Sequence, residues 1–427
     1  MSNVVRLSEG FYVLKDAQAS VSFTGGKFQD TVNGGTELRK GNLKIAPWGK
    51  NNLLPQEMFR LIWENHLKPQ LITTARDFLI GSRLGVFRRQ IVENKETFVP
   101  IAMPEIEDWL EEIEAENYIM QAAYNLEFWS NVFTVFTLGT STNIEAIQCF
   151  DCTDVRASVI SPTVGRIEDY VLHPDWKNFK EPEATVIPSW DRTQPTRFFQ
   201  FCYHGRDPVP GQPYYSLPTW YGTRKWTEVS NEIPKFHKSG LANGYNLKYH
   251  IEIPADYFLQ FGDDKAQQKA EADLLDNMNQ WLSGVENVAK AFVSKFQTDA
   301  MGKPIPGWKI EPLEDKMNTE AYIELDRQAN TAHASGHGID PSLAGIDQNS
   351  KLGGSGSEKR ISYDMHIALR TPTKRKILLQ PFNTVAKKIM GWDRDIFIGI
   401  VDIQLTTLAD NPSGKSMVNN LSDPSAR

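Results

Sequence analysis

The sequence predicts an α+β fold, with blocks of helix and blocks of short strands in one chain of 427 residues. Three observations carry this. Apolar residues from Ile106 to Phe136 recur mostly at spacings of three and four, the mark of a helix with a buried face. From Ile144 to about Ser216 the texture changes to short apolar runs (IEAIQCF, RASVIS, GRIEDYVLH, RFFQFCYH) separated by Pro, Gly and Asp, which reads as strands and turns. No period of 20 to 50 residues repeats, so solenoids and propellers are excluded. A 40% hydrophobic and 11% aromatic content excludes disorder of the whole chain.

Residues 1 to about 50 are rich in Gly and polar residues (TGGKFQDTVNGGTELRKGN), with turn signals too dense for long elements, and read as a peripheral arm. Helical packing follows over 57–81, through Met58, Leu61, Ile62, Leu71, Ile72, Phe78 and Leu79, with a break at Pro69. Short strands are expected around LGVFRRQIVE and TFVPIAM. A long helix then begins after Pro104 and runs to Gly139, a suitable C-cap. Pro at its start and seven acids between Glu105 and Glu116 suit the positive end of a helix macrodipole; on the plainer reading they are solvated first turns.

Beyond the strand-rich block, helical texture returns over 220–241, 265–283 and 318–335, with a short strand near 308–313. A Gly-rich loop over 343–356 leads into a long helical segment to about Gly391 that carries Pro372 and Pro381.

The formal charge of -7 and pI near 5.7 argue against a surface that grips nucleic acid by general attraction, which needs many free Lys and Arg to displace counterions. The N-terminal residues lack the basic start, apolar centre and cleavage site of a secretion signal, so no export is expected. The most apolar stretch, from Ile119 to Gly139, is interrupted by Gln121, Asn125, Glu127, Ser130 and Asn131, so no membrane span is expected. Three cysteines make no disulfide framework and fit a reducing cytoplasm.

A search for chemistry finds no GxSxG, HExxH, Rossmann GxGxxG or GxxxxGK[ST] motif. Cys149 and Cys152 form one CxxC, and Cys202 with His204 completes a four-ligand set of the kind zinc accepts; against it, IEAIQCF reads as a strand whose thiols point to different faces. LGGSGSEKR resembles a phosphate-cradling loop without the Lys-Ser/Thr pair. His333 and His337 have ligand-like spacing, with Gly336 and Gly338 beside His337 indicating a fraying helix end instead. No cofactor and no catalytic residue is expected.

Charge is segregated. Residues 358–390 hold eight Lys or Arg, among them Lys359, Arg360, Arg370, Lys374, Arg375 and Lys376, against Glu358 and Asp364. Such a segment faces an acidic partner within the chain or in a neighbouring subunit, faces DNA phosphates, or is simply solvated.

Three stretches, in order, resemble the portal proteins of tailed bacteriophages. Trp48-Gly-Lys-Asn-Asn-Leu-Leu-Pro55 is similar to the G-x-x-N-x-x-P lead-in of many portals. Pro213-Tyr-Tyr-Ser-Leu-Pro-Thr-Trp-Tyr-Gly222 is similar to their YYG-x-P-x-W turn, with Ser216 for Gly, before a helix ending in Asn243-Gly244. Gly336-His-Gly-Ile-Asp-Pro-Ser-Leu-Ala-Gly345 is similar to their G-V-P-P-x-L-L-G segment, with Asp340 for the first Pro.

The resemblance implies a portal-like α+β fold with a helical stem, an α/β wing, a β-rich clip insertion and a short C-terminal crown. It would divide the chain into an arm (1–47), wing (48–115), stem helix (116–139), clip (140–219), second stem helix (220–244), second wing part (245–342), tunnel loop (343–357), inner wing helix (358–390) and crown (391–427). Asp347, Gln348, Asn349, Ser350, Lys351, Gly353 and Gly354 would line the DNA channel. The implied assembly is a homo-oligomeric ring of twelve copies at a capsid vertex of the virion, assembled in the host cytoplasm. Its partners would be double-stranded DNA, terminase, the capsid or scaffolding protein and the head-tail connector proteins. The alternatives are a zinc- or nucleotide-dependent nucleic-acid enzyme and a viral scaffold without DNA passage.

Overall fold

Short antiparallel strands open the chain. β1 (Val4–Ser8), β2 (Phe11–Leu14) and β3 (Ala19–Ser22) form one sheet, and β4 (Leu38–Lys40) pairs with β5 (Leu43–Ile45). Proline has no N–H to lose in a first helical turn and its φ is already helical. Pro55 and Pro69 accordingly start α1 (Leu54–Trp63) and α2 (Lys68–Ile80), and the break expected at Pro69 is the boundary between them. β6 (Arg83–Val92) and β7 (Lys95–Pro100) form a hairpin whose two turn residues, Glu93 and Asn94, both have positive φ, as a tight turn matched to the strand twist requires.

The structure is a computed structural model that describes residues 4–8, 11–14, 19–22, 37–140, 143–243, 249–252, 258, 262–283, 309–312, 319–346 and 356–403.

Pro104 starts α3 (Pro104–Glu112), and α4 (Ala115–Trp129) follows. The helix expected to reach Gly139 ends ten residues early. Ser130 turns the chain with φ 57°, and Asn131–Leu138 is strand β8. β8 is the central strand of an antiparallel sheet in the order β13-β8-β9, formed with β9 (Ile144–Phe150) and β13 (Gln200–Arg206). Every β8 residue but Thr137 is buried, and a strand covered on both faces is a continuous apolar run that periodicity does not separate from a buried helix.

The strand texture expected over 144–216 is present: β10 (Val155–Ala157), β11 (Asp169–Leu172) and β12 (Thr185–Pro188) form a second antiparallel sheet. This block is no separate body. Tyr170, Ile187, Cys202 and Tyr215 share one apolar core with Trp48, Met58, Phe128 and Phe133.

Helix α5 (Arg224–Asn243), strand β14 (Tyr249–Glu252), helix α6 (Asp264–Ser283), strand β15 (Lys309–Pro312) and helix α7 (Thr319–His337) come next, and β14 pairs antiparallel with β15. Glu232–Asp326 forms a compact unit of its own; Met1–Asn231 with Arg327–Arg427 forms the other. Within the smaller unit, Phe236 of α5 stacks on Tyr322 of α7 with ring centres 4.9 Å apart.

The long C-terminal helical segment is real but interrupted where prolines stand. α8 (Gly356–Arg370) stops before Pro372; α9 (Pro372–Gln380) gives way at Pro381 to a π-helical turn, Pro381–Ala386, and α10 (Lys387–Met390) ends at Gly391 with φ 73°. Proline withholds the N–H an α-helix needs there, and wider π turns occur at such interruptions. β16 (Ile396–Val401), which the sequence placed in a crown, is a strand of the sheet β16-β6-β7 in the larger unit. Its Ile398 shares a second core with Trp109, Tyr118, Phe136, Leu378 and Phe382.

Candidate functional site

The three motifs lie far apart in sequence and converge in space. In the first, Gly49 and Asn52 take left-handed φ of 81° and 60°, and the loop closes on itself through Asn52 Oδ1, which accepts from the Trp48 N–H at 2.9 Å. The same oxygen accepts from Arg156 Nε at 2.8 Å, and the Asn52 carbonyl accepts from Arg156 Nη2 at 2.7 Å. Arg156 is wholly buried with neutral partners, between Trp48 and Trp176 at 5.6 and 5.0 Å. Burial draws its pKa down to about 10.

Trp48 joins the first motif to the second, stacking on Tyr215 at 4.1 Å with ring planes 4° apart. Tyr215 Oη donates to Ala46 O and accepts from the Ala157 N–H, while Asn131 Oδ1 accepts from the Ser216 N–H. Trp220 Nε1 donates to the carbonyls of Glu127 and Phe128, at the end of α4.

The third motif docks on the second. His337 stacks on Trp220 at 6.0 Å, and Thr219 Oγ1 donates to Gly336 O at 3.1 Å. A β-carbon on Gly336 would lie 2.5 Å from Thr223 Cγ2, so only glycine admits this approach. Gly338, with φ 67°, ends the helix. Asp340 then accepts from the backbone N–H and hydroxyl of Ser342, and Leu343 and Ala344 pack against a small core of Leu71, Ala75 and Ile339.

Lys68 lies at the junction, and among the described residues no carboxylate pairs with it. Its Nζ is 3.1 Å from Thr223 Oγ1, 3.4 Å from His337 Nε2 and 4.6 Å from the centre of the Trp220 ring. Burial brings its pKa down to about 7. Burial, then the nearby Lys68, holds His333 near 3 and His337 well below the usual imidazole range. Among the described residues, both ring nitrogens of the buried His333 lack a hydrogen-bond partner. The pair expected at a fraying helix end is therefore interior, and nothing local in the sequence marks Lys68, because Thr223 and His337 are remote from it along the chain.

This junction holds the near end of the Gly-rich loop. The far end is held by α8: Tyr363 and His366 make edge contacts with Phe78 of α2 at 5.3 and 5.1 Å. The channel residues expected from the sequence, Asp347, Gln348, Asn349, Ser350, Lys351, Gly353 and Gly354, lie outside the described residues.

The structure divides the six basic candidates. Lys374 is not available to DNA or a neighbour: its Nζ pairs with the buried Glu127 carboxylate at 2.6 Å. Nor is Arg375, which donates to the carbonyls of Phe78 and Leu79 and pairs with Asp402. Both cap groups that folding had already buried, a need invisible in charge counting. Lys359, Arg370 and Lys376 are exposed and Arg360 is partly so.

The candidate zinc set is not assembled. Asn125 Nδ2 donates to Cys149 Sγ, Cys152 Sγ donates to Asn131 O, and His204 stacks on Phe133 at 4.3 Å with Nε2 on Asn131 Oδ1. Burial raises Cys149 to about 12, raises Cys152 and Cys202 strongly, and holds His204 near 3. Among the described residues no three His, Cys, Asp or Glu side chains are grouped to hold a metal ion, and no helix is long and apolar enough to cross a membrane.

No protein-family model matches the sequence, and no curated protein does. Solved structures do, and they define the class of fold as that of a chain in a gene transfer agent (GTA) particle. The particular matches are a chain of the virion of the native GTA particle, with TM-score 0.57 at 12% identity over 84% of this chain and 86% of that one, and a chain of the neck of the native particle computed with C12 symmetry, with TM-score 0.54 at 12% identity over 83% and 86%. A chain of an HK97 family phage portal protein from Corynebacterium diphtheriae aligns at 9% identity over 78% and 91%, with TM-score 0.38.

Proposed function

We propose that this chain is the subunit of a portal: a non-enzymatic ring at one capsid vertex of a virion, assembled in the host cytoplasm, through which double-stranded DNA is packaged and ejected. Twelve copies close the ring, and it docks terminase during packaging and tail-connector proteins afterwards. The observation that carries the reading is the convergence of all three portal-like motifs at the root of one Gly-rich loop, on a fold shared with a GTA particle neck chain solved under C12 symmetry.

The order stem helix, clip, stem helix moves along the chain in this reading. The stretch 116–139 is half strand and 140–219 packs into the main core. Glu232–Asp326, which takes in parts of both α5 and α7, is a compact unit with its own strand pair; in this reading α5 and α7 take the stem and 244–318 the clip. The tunnel loop stays where the sequence put it, over 343–357.

A conduit must not grip. Each phosphate neutralised by a fixed cation makes affinity fall by about one more log unit per log unit of salt, and a net acidic subunit with the polar sequence Asp347–Lys351 in its Gly-rich loop keeps that adhesion low.

Mass measurement of the purified particle is the test, with a closed homo-oligomer expected and a monomer under all conditions contradicting it. Replacing Asp347–Lys351 by a Gly/Ser spacer should impair packaging or DNA retention and leave assembly intact; unchanged packaging would remove the loop's assignment.

A further inference from the structure

The junction at the root of the Gly-rich loop gathers cations and imidazoles from several elements. Lys68 of α2 and His333 of α7 are wholly buried there, His337 of α7 nearly so, and His66 stands close enough to act on His333. From α9 comes Lys374, which acts on His337 and is itself paired with Glu127 of α4. The turn before α5 brings Trp220 and Thr223, neither of them charged, and on α8 His366 and Arg370 stand at Gly338. All of these residues belong to the larger unit.

Such a site gains by opening. Among the described residues neither ring nitrogen of His333 has a partner, and a buried polar atom left so penalises the closed state, since water would satisfy it. A proton on either imidazole adds a second penalty: the closed site is dry, and its nearest cation is Lys68. The contacts that hold this end of α7 are the His337 stack on Trp220, the Thr219 bond to Gly336 O and the small core of Leu71, Ala75 and Ile339. They form a local set that can part without β8 or its neighbours moving.

We propose that His333 and His337 form an acid-operated latch: proton uptake by the pair parts the end of α7 from Lys68 and Trp220 and frees residues 338–346, the near end of the loop, while the sheet around β8 stays closed. The latch concerns how the loop is held, whatever passes it, and so stands apart from the portal reading. Closed, His333 takes up a proton only near pH 3, against 6.5 for an exposed imidazole, and His337 is displaced in the same direction. Below pH 6.5 the open form therefore binds the protons first, and each histidine raises the opening constant by up to about tenfold per pH unit. Lys68 holds its proton in both forms below about pH 7, so the imidazoles set the response there.

Hydrogen–deuterium exchange of the full chain from pH 7 to 5, read by peptide mass spectrometry and corrected for the intrinsic exchange rate, is the test. The opening constant for peptides covering 330–343 should rise by a few hundredfold over that span, roughly 25-fold for each histidine, while peptides of β8 and β13 keep their protection. His333→Gln and His337→Gln should each remove one such share, and the double variant should leave exchange at 330–343 independent of pH. Circular dichroism at pH 5 checks that the variants are folded, and the wild-type comparison of the two regions needs no variant. Protection lost equally over 330–343 and β8 would mean ordinary acid unfolding and overturn the latch. So would an unchanged opening constant in the wild type, or a wild-type response that survives in the folded double variant. Each of these results leaves ring assembly untouched, so the portal reading is judged separately by particle mass.

Discussion

Lys374 on α9 and Glu127 on α4 meet as an ion pair, with Nζ 2.6 and 2.8 Å from the two carboxylate oxygens. Glu127 is only 5% exposed. The contact ties the C-terminal helices to the helix end whose carbonyls hold Trp220, and so to the junction of the three motifs.

Removing one partner of a buried pair leaves the other charge unpaired, at about 3–5 kcal/mol. Lys374→Met, which strands the buried carboxylate, should therefore cost more stability than Glu127→Gln, which frees a lysine 31% exposed to water. The double variant should recover part of the loss. Urea unfolding at neutral pH measures all three, and equal costs for the two single variants would contradict the asymmetry.

Lys68 makes stability depend on alkaline pH. Its pKa is near 7 folded and 10.5 as an ordinary side chain, so between these values the unfolded chain binds more protons and stability rises with pH, by up to about 1.4 kcal/mol per pH unit. Below about 7 both states hold the proton and this contribution is flat. In Lys68→Met the rise between pH 7 and 10.5 should disappear.

His333 shapes the acid side of the same profile. Its folded pKa near 3 lies below the ordinary 6.5, so stability falls as pH drops from 6.5 towards 3, the range in which only the unfolded chain takes up the proton. His333→Gln should flatten that limb, read as melting temperature against pH.

Gly336→Ala should destabilise by about 1–3 kcal/mol, the range for overpacking, because the new methyl group would meet Thr223. Gly222→Ala, with nothing within 4 Å of the added carbon, is the control and should be near neutral. Thermal melts of the pair separate the close approach from any general effect of losing a glycine.

Iodoacetamide should label Cys152 and Cys202 only after denaturation, since both thiols are buried and held protonated and the thiolate is the reacting form. Peptide mass spectrometry with and without urea reads this. Rapid labelling of either in the native protein would mean that the core opens locally.

Proline and glycine made much of the fold readable. Pro104 starts a helix where the sequence predicts one, the break predicted at Pro69 is a helix boundary, Pro372 and Pro381 interrupt the last helical segment, and the dense turns over 144–216 announce the strands found there. What misled was burial on both sides: Val132, Phe133, Val135 and Phe136 fit a helix as well as a central strand, and only the partners β9 and β13, supplied from later in the chain, decide between them. The motifs were legible as landmarks, but their contacts were not. Neither Trp48 against Tyr215 nor Lys68 against His337 leaves a local trace, because such pairs are made by tertiary packing alone.

Ser82 and Val401 are hydrogen-bonded across 319 positions of sequence, at the margin where β16 completes the sheet of β6 and β7. During synthesis that margin must wait, with the backbone groups along one edge of β6 unpaired, until residues 396–401 have left the ribosome. An uncovered strand edge beside Ile91, Val92 and Phe98, all solvent-facing, invites pairing with a neighbouring nascent chain. Messages truncated before codon 396 should therefore yield aggregates instead of shortened soluble subunits, and protection of this edge becomes a matter of translation speed and chaperone access.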